Sequence, residues 1–150
     1  MFEPLNPNFE DEIRASFASH VLMHTIGARL ARVAPGAVDV ELPFRDDLTQ
    51  QHGFIAAAIV TAILDVACGY AAMSLMPPGA GVVTVEFKVN LLAPAVGERF
   101  VARSRVTRAG RTLTVCAGDV FAVRGTEEKP VATMLATMMS FKAAASGPRD

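Results

Sequence analysis

The longest apolar run of the chain carries a single charged residue near its centre. The stretch QQHGFIAAAIVTAILDVACGYAAM, residues 50–73, contains one carboxylate, Asp65, and no other charged side chain occurs between Leu48 and Val85. Burying an unpaired carboxylate costs several kcal/mol, a large share of a total stability of about 5–15 kcal/mol. Either Asp65 is paired, or the run is not the buried segment that its composition indicates, or the charge is kept for chemistry.

The apolar run is long enough to cross a membrane, yet its composition favours a helix inside a protein core. It is rich in alanine, carries a carboxylate near its centre and has no closely flanking Lys or Arg. Pro77, Pro78 and Gly79 follow the run and predict the end of the helix. We therefore predict a buried helix and no contact with a membrane.

The segments on either side of this helix predict an α+β domain that occupies residues 1–150. Apolar residues four apart and acids in the first turn predict an amphipathic helix over residues 9–19, and a shorter helical turn stops at Gly27. Alternating apolar and polar residues then predict two strands around a turn at Pro35–Gly36.

Four long antiparallel strands are predicted after the apolar helix, with a hairpin at Ala109–Gly110. The strand segments are residues 83–91, 98–110, 111–125 and 129–143, and residues 144–150 are expected to form a frayed tail. A helix that is apolar all round must be wrapped, and a strongly curved antiparallel sheet covers most of its circumference. We expect another subunit to cover the remaining face.

Charge and cysteine usage limit the classes of partner and compartment. The formal net charge of −1 argues against a broad surface for nucleic acid, which needs an excess of Lys and Arg. Cys68 and Cys116 lack the spacing of a zinc site; we interpret them as buried thiols in a reducing cytoplasm, with a disulfide between them left open. The first residues carry acids and prolines and no apolar stretch of a signal peptide, which favours a cytoplasmic protein.

Three segments together resemble the hotdog-fold acyl-CoA thioesterases, in particular the PaaI-like branch associated with phenylacetate degradation. They are ILDVACGYAA in the apolar helix, VVTVEFKVNLLAPAVGE in the next strand and RAGRTLTV in the hairpin. The resemblance covers nearly the whole chain, from about residue 17 to residue 141. It implies a hotdog domain in a homodimer with a continuous sheet, often paired into a dimer of dimers. It also implies hydrolysis of acyl-CoA without a metal or organic cofactor, coenzyme A being part of the substrate.

The resemblance assigns roles to four residues of this sequence. Asp65 matches the catalytic acid on the central helix, and Gln50 matches a polar residue that positions the nucleophile or water. The backbone N–H of Ala57 matches the group that polarises the thioester oxygen, and Thr84 matches a hydroxyl that holds the water in some members. In relatives, the groups like Gln50 and Ala57 come from one subunit, and those like Asp65 and Thr84 from the other.

The sequence departs from the family at the start of the central helix. The family has a His-Gly-Gly motif whose His precedes the acid by nine residues, and here that triplet is Ala56-Ala57-Ala58. His52-Gly53 lies four residues too early to serve as the motif. Asp65 still suits a nucleophile or general base, because a thiolate leaves readily and requires little acid assistance. The alternative is that a nearby donor caps Asp65, which then only fixes the register of the helix.

Basic residues around the predicted hairpin are candidates for binding coenzyme A. The cluster consists of Arg103, Arg105, Arg108 and Arg111. It forms either a solvated strand face or a grip for the nucleotide phosphates, with Arg108 and Arg111 flanking the turn. Lys88 and Asn90 are expected on the polar face of their strand, in the same groove.

The three histidines have less specific surroundings. His52 is either an ordinary loop residue or a second base and substrate contact. His20 and His24 are four apart, a spacing that suits a metal, but the sequence offers no third ligand. We interpret His20 and His24 as core or surface residues and predict no metal site.

The prediction for the whole chain is a cytoplasmic thioesterase that hydrolyses a small or medium acyl-CoA, aryl or aliphatic, with Asp65 as nucleophile or general base. The alternative is a non-catalytic acyl-CoA-binding hotdog protein, which the Ala56-Ala57-Ala58 triplet favours. A hotdog hydratase is less favoured, because that chemistry pairs an acid with a helix-borne His and no His follows Asp65. The acyl chain itself depends on side chains from two subunits.

Overall fold

The helices and strands follow one another in the order that the sequence predicts, in a computed structural model that describes residues 1–143. The predicted tail, residues 144–150, lies outside the described residues. The elements are α1 (Phe9–Ala18), α2 (Val21–Ile26), β1 (Arg29–Ala34), β2 (Ala37–Pro43), a 3-10 turn (Asp46–Leu48), α3 (Ala57–Met73), β3 (Ala80–Leu91), β4 (Arg99–Ala109), β5 (Leu113–Arg124) and β6 (Glu127–Lys142).

The two N-terminal helices have the local features expected of their sequences. Ile13 and Phe17 of α1 are buried, and three acidic residues occupy its first turn, where they interact favourably with the helix dipole. Helix α2 ends at Gly27, whose φ of 78° is a left-handed conformation that glycine adopts without steric cost.

All six strands form one antiparallel sheet in the order β1-β2-β4-β5-β6-β3. The chain leaves β2, forms α3 and then returns to the far side of the sheet, so β3 pairs with the last strand, β6. Strand β3 therefore lies at an edge and, within residues 1–143, has a strand neighbour on one side only.

The sheet curves around α3. The helix contacts β2, β3, β4, β5 and β6, which are five neighbouring strands. Five strands span about 19 Å in a flat sheet, whereas a helix with its side chains is about 10 Å across, so a flat sheet would leave its outer strands beyond reach. A long helix enclosed by a curved antiparallel sheet is the hotdog fold, and the α+β prediction is confirmed.

The sheet covers most of the circumference of α3 and leaves one stripe open, as the sequence predicts. Eight of its residues are buried, including Ile63, Leu64 and Ala67. Residues four or three apart on the other side keep partial exposure. They are Ala62, Asp65, Val66, Gly69 and Met73, and Ala58 near the start of the helix is exposed. The lone carboxylate of the apolar run thus lies on the one side of the helix that the sheet does not cover.

Two further expectations from the apolar run and the cysteines have clear outcomes. Among residues 1–143, no helix combines the length and the apolar composition that a membrane span requires. Cys68 and Cys116 are both buried free thiols, and the Cys116 Sγ donates to the Cys68 carbonyl oxygen at 3.4 Å. Burial raises the pKa of both thiols, so they stay neutral and act as small packing residues.

Candidate active site

Asp65 lies midway along the open stripe of α3 and is bound by a hydroxyl group from β3. The Thr84 Oγ1 donates to Asp65 Oδ1 at 2.7 Å, while Oδ2 has no hydrogen-bond partner within residues 1–143. Burial raises the pKa of Asp65, and the Thr84 hydrogen bond and the charge of His20 lower it in part. The carboxylate therefore has one oxygen fixed and the other available to a reacting group.

A β-bulge places Thr84 on the inner face of the sheet. The register between β3 and β6 shifts between Thr84 and Glu86, so Val85 is the extra residue. Thr84 lies opposite buried Met138, and beyond the bulge Phe87 lies opposite buried Ala136. Directly opposed residues share a face of the sheet, so the inward-facing positions change from even to odd numbers at the bulge.

The same bulge corrects the predicted polar face of β3. Lys88 lies opposite Leu135, which is 55% exposed, and Asn90 lies opposite Thr133. Both side chains are therefore on the sheet face directed away from α3, whereas Thr84 is on the face directed towards it. The sequence pattern alone had put these three residues on one face. The role of Lys88 and Asn90 in binding coenzyme A stays a prediction.

A cavity of about 430 Å³ opens beside Asp65 and runs along α3 towards Met73. Its helix side is formed by Asp65, Val66, Gly69, Tyr70 and Met73, and its sheet side by the first residues of β3 with Met138 and Phe141. Ser16 and His20 close it on the α1 side, and the hydroxyl groups of Ser16 and Tyr70 lie 3.1 Å apart. We call this space the Asp65 cavity.

His20 is a residue of this site that the sequence interpretation missed. It was expected to be a core or surface residue, yet it lines the Asp65 cavity and its charge lowers the pKa of Asp65. His24 instead places its Nε2 2.6 Å from the Ala18 carbonyl oxygen. No group of three or more potential metal ligands exists among residues 1–143. The four-residue spacing of the two histidines gave no signal for this arrangement, because the position of His20 depends on how the segment between α1 and α2 lies in the folded chain.

Gln50 and Ala57 line a second cavity, of about 420 Å³, together with Phe54, Val60 and residues 91–95. No residue lines both cavities. Asp65 lies eight positions after Ala57, a distance of about 12 Å along the helix axis. One chain therefore brings Asp65 together with Thr84 and Gln50 together with Ala57, but it keeps the two pairs apart.

Ala57 is the first residue of α3, and its backbone N–H points out of the helix end. No side chain caps this terminus, and the described residues provide no acceptor for the Ala57 N–H. Ala56 has φ −59° and ψ 139°, and no non-glycine residue in residues 1–143 has a positive φ. The alanines that replace the family's glycines are thus unstrained, and the donor and the positive end of the helix dipole are both retained.

The loop before α3 holds Gln50 in a turn. The Gln50 N–H donates to the Phe54 carbonyl oxygen at 2.8 Å, and the Gly53 N–H donates to the Gln50 carbonyl oxygen at 3.0 Å. The His52 N–H donates to Gln50 Oε1, which leaves the side-chain NH₂ of Gln50 free to donate elsewhere. The exposed His52 ring packs near Phe54 and lines neither cavity.

The four arginines of the hairpin separate into two pairs. Arg103 forms a bidentate ion pair with Glu128 at 2.6 and 2.7 Å, and Arg105 lies 3.8 Å from Asp119. Arg108 and Arg111 have no ion pair within residues 1–143 and lie at the exposed tip of the β4–β5 hairpin. Thr114 at this tip is opposite Met138, which is opposite Thr84, so the tip is at the Asp65 end of the sheet.

Comparison with known proteins gives a consistent result. Residues 52–129 match the family model described as the thioesterase superfamily, which is more than half of the chain. A crystal structure of a thioesterase family protein from Silicibacter pomeroyi is 50% identical, covers 90% of this chain and 99% of its own, and has a TM-score of 0.88.

More distant matches extend the likeness. The PaaI protein of E. coli, from the phenylacetic acid degradation operon, is 17% identical with a TM-score of 0.81, covering 91% of this chain and 96% of its own; at this identity it shares the fold. A curated relative from Saccharolobus solfataricus is 27% identical over 90 residues, and the match spans 60% of this chain and 64% of the relative. The predicted resemblance to the hotdog thioesterases is confirmed.

Proposed function

This chain belongs to the thioesterase superfamily, a family of thioester hydrolases, and we propose that it hydrolyses a small or medium acyl-CoA, aryl or aliphatic, to the free acid and coenzyme A. The observation that carries this proposal is the Asp65 carboxylate, held by Thr84 at 2.7 Å at the mouth of a 430 Å³ cavity. Acyl-CoA is the form in which we expect the thioester, because exposed Arg108 and Arg111 lie at the same end of the sheet.

Asp65 acts as nucleophile or general base on the thioester carbonyl carbon. As nucleophile, its free oxygen forms an acyl anhydride and the thiolate of coenzyme A leaves; water then cleaves the anhydride. As general base, it removes a proton from a water that attacks the same carbon. In both cases negative charge develops on the carbonyl oxygen, and a helix N-terminal N–H such as that of Ala57 stabilises it.

The complete site requires two copies of the chain. Strand β3 is an exposed edge with large apolar residues on it: Val83, Val85, Phe87 and Leu91 are between 41% and 53% exposed. An unprotected apolar edge pairs readily with another strand. When β3 pairs antiparallel with its own copy, the Thr84 end of one strand lies against the Leu91 end of the other. That arrangement places Gln50 and Ala57 of one subunit near Asp65 of its partner.

A non-catalytic acyl-CoA binder is the second candidate function, and the absence of the family's motif His favours it. Both candidate functions use the same cavity and the same proposed dimer. They differ in whether free thiol appears when the protein is mixed with acyl-CoA.

The test is the release of free thiol from acetyl-, hexanoyl- and phenylacetyl-CoA by the wild-type protein, Asp65→Asn and Asp119→Asn. Asp119 is the matched control because it lies 3.8 Å from Arg105 and lines neither cavity. We expect Asp65→Asn to abolish turnover while it still binds the thioester, and Asp119→Asn to stay active. If Asp65→Asn retains more than about a tenth of kcat, a barrier change under about 1.4 kcal/mol, Asp65 is neither nucleophile nor base.

Stability measurements make the loss of activity interpretable. Burial raises the pKa of Asp65, so the folded state disfavours the charged form. This unfavourable contribution is absent below the pKa of the unfolded chain and complete above the pKa of the folded one. At neutral pH we therefore expect Asp65→Asn to melt at the wild-type temperature or above it. Binding without thiol release by the wild-type protein would select the binder.

A further inference from the structure

Within a single chain, no neighbouring atom requires a glycine at position 69. It lies inside α3, where glycine is among the least favourable residues because it loses the most backbone freedom on folding. A Cβ added to Gly69 would meet no atom within 4 Å outside the adjacent helix backbone. Its φ is not positive, so alanine would adopt the same backbone conformation.

At two other positions, Gly118 and Gly81, neighbouring atoms leave no space for a side chain. At Gly118 on β5, an added Cβ would lie 2.7 Å from Leu64 Cδ1 and 2.9 Å from the Arg103 carbonyl oxygen. At Gly81 on β3, it would overlap the ring of Phe141. Those positions need glycine because a neighbour occupies the space of the side chain. At Gly69 no atom of the same chain occupies that space.

The empty space above Gly69 is part of the Asp65 cavity. Gly69 is one turn beyond Asp65 on the open stripe of α3, about 6 Å along the helix axis, and Met73 is one turn further. Val82 and Phe141 line the same cavity from the sheet side. An acyl group whose carbonyl carbon reacts at Asp65 and whose chain enters this cavity must pass over Gly69.

We infer that Gly69 determines specificity: the missing side chain lets the acyl group of the thioester lie directly against α3, and it sets how wide an acyl group the cavity accepts. This inference rests on the proposed function. Glycine at this position lowers the stability of the helix, but it leaves room for the acyl group at the turn where that group is widest. An acetyl group ends before this turn, and an arylacetyl group has its ring there.

The test compares wild-type protein, Gly69→Ala and Gly69→Val with two thioesters, acetyl-CoA and phenylacetyl-CoA. We expect Gly69→Ala to melt at a higher temperature and to keep kcat/KM for acetyl-CoA within about twofold, while kcat/KM for phenylacetyl-CoA falls by about tenfold or more. Gly69→Val should lower kcat/KM for phenylacetyl-CoA further. An equal change for both substrates, no change for either, or a lower melting temperature of Gly69→Ala would overturn the inference.

Binding of unreactive analogues separates this inference from the proposed function. Thioether analogues of the two substrates report on the cavity even when no turnover occurs. We expect Gly69→Val to raise the Kd of the phenylacetyl analogue by about tenfold and to leave that of the acetyl analogue unchanged. If the wild-type protein releases no thiol but shows this binding pattern, the hydrolase proposal fails and the inference about Gly69 stands. If the wild-type protein binds neither analogue, both fail.

Discussion

Asp65 occupies a position that disfavours its charged form, although the proposed hydrolysis requires that form. Burial raises the pKa of the carboxyl group, and two neighbours oppose this rise: the Thr84 hydroxyl, which donates at 2.7 Å, and His20, through its charge. Tyr70 in the same cavity is neutral, because burial raises its pKa as well. The charge of His20 thus favours the deprotonated form of Asp65 and shifts the pH at which the carboxylate becomes available.

The pH dependence of turnover follows from these two groups. In the proposed mechanism deprotonated Asp65 is the reactive form, so we expect activity to fall as the pH falls through the pKa of Asp65. We expect this acidic limb above the value of about 4 for a solvated Asp. His20→Ala removes a charge that lowers the pKa, so the limb should move to higher pH while activity at alkaline pH changes little.

The measurement is kcat/KM of the wild-type protein, His20→Ala and His24→Gln from about pH 4 to pH 9. His24 is the control, since its ring contacts the Ala18 carbonyl oxygen and does not line the Asp65 cavity. A limb that stays in place or moves to lower pH in His20→Ala would contradict the role of His20. A uniform loss at every pH would indicate a structural effect on α2.

At the scale of the elements, sequence periodicity predicted what each segment forms but not how its side chains meet. Apolar spacing placed α1, α3 and the last four strands within a few residues of their bounds. The bulge at Val85 was not predictable, because it exists only in the register between β3 and β6. It directs Thr84 inwards and Lys88 outwards. The pairing of Thr84 with Asp65 was expected from the family resemblance, not from the alternation along β3.

The β4–β5 hairpin is the element that we expect to bind the phosphates of coenzyme A. Its tip carries Arg108 and Arg111, whereas Arg103 is held by Glu128. Replacing Arg108 and Arg111 together by Gln should raise KM for acyl-CoA by about tenfold and leave kcat nearly unchanged, since the phosphates lie far from the reacting carbon. A short pantetheine thioester, which lacks the nucleotide, should be hydrolysed equally by both proteins.

Arg32→Gln provides the matched control for the hairpin variant. Arg32 is an exposed arginine on the edge strand β1, which β2 separates from the hairpin. Equal KM values for acyl-CoA in the hairpin variant and the control would show that the hairpin does not bind the phosphates of coenzyme A. A loss for the pantetheine thioester as well would show that the hairpin supports the active site itself and not the nucleotide.

At the scale of the whole molecule, one chain leaves several surfaces uncovered. The proposed two-fold pairing would account for the open stripe of α3, the apolar edge β3 and the two separate cavities. The apolar helix predicted a partner because one sheet could not cover its circumference. The sequence could not indicate which surface the partner uses, because that depends on β3 being the last strand of the sheet, beside β6.

Mixing two inactive variants tests whether the active site is shared between subunits. Asp65→Ala removes the carboxylate and Gln50→Ala removes the amide, and each homodimer then has two damaged sites. In a mixed dimer, one site carries both damaged residues and the other carries neither. Random pairing after joint unfolding and refolding makes about half of the dimers mixed, so roughly a quarter of wild-type activity should return.

The quarter follows only if Gln50 and Asp65 act across the interface. If both residues served a site within one chain, every site in every dimer would keep one damaged residue, and no activity would return. Gln50→Ala alone must first show a strong loss of turnover, and mass spectrometry under native conditions must show that mixed dimers form. If both conditions hold, recovery of about a quarter of the wild-type activity supports the pairing of β3 with its copy. If no activity returns, the site is not built from two subunits.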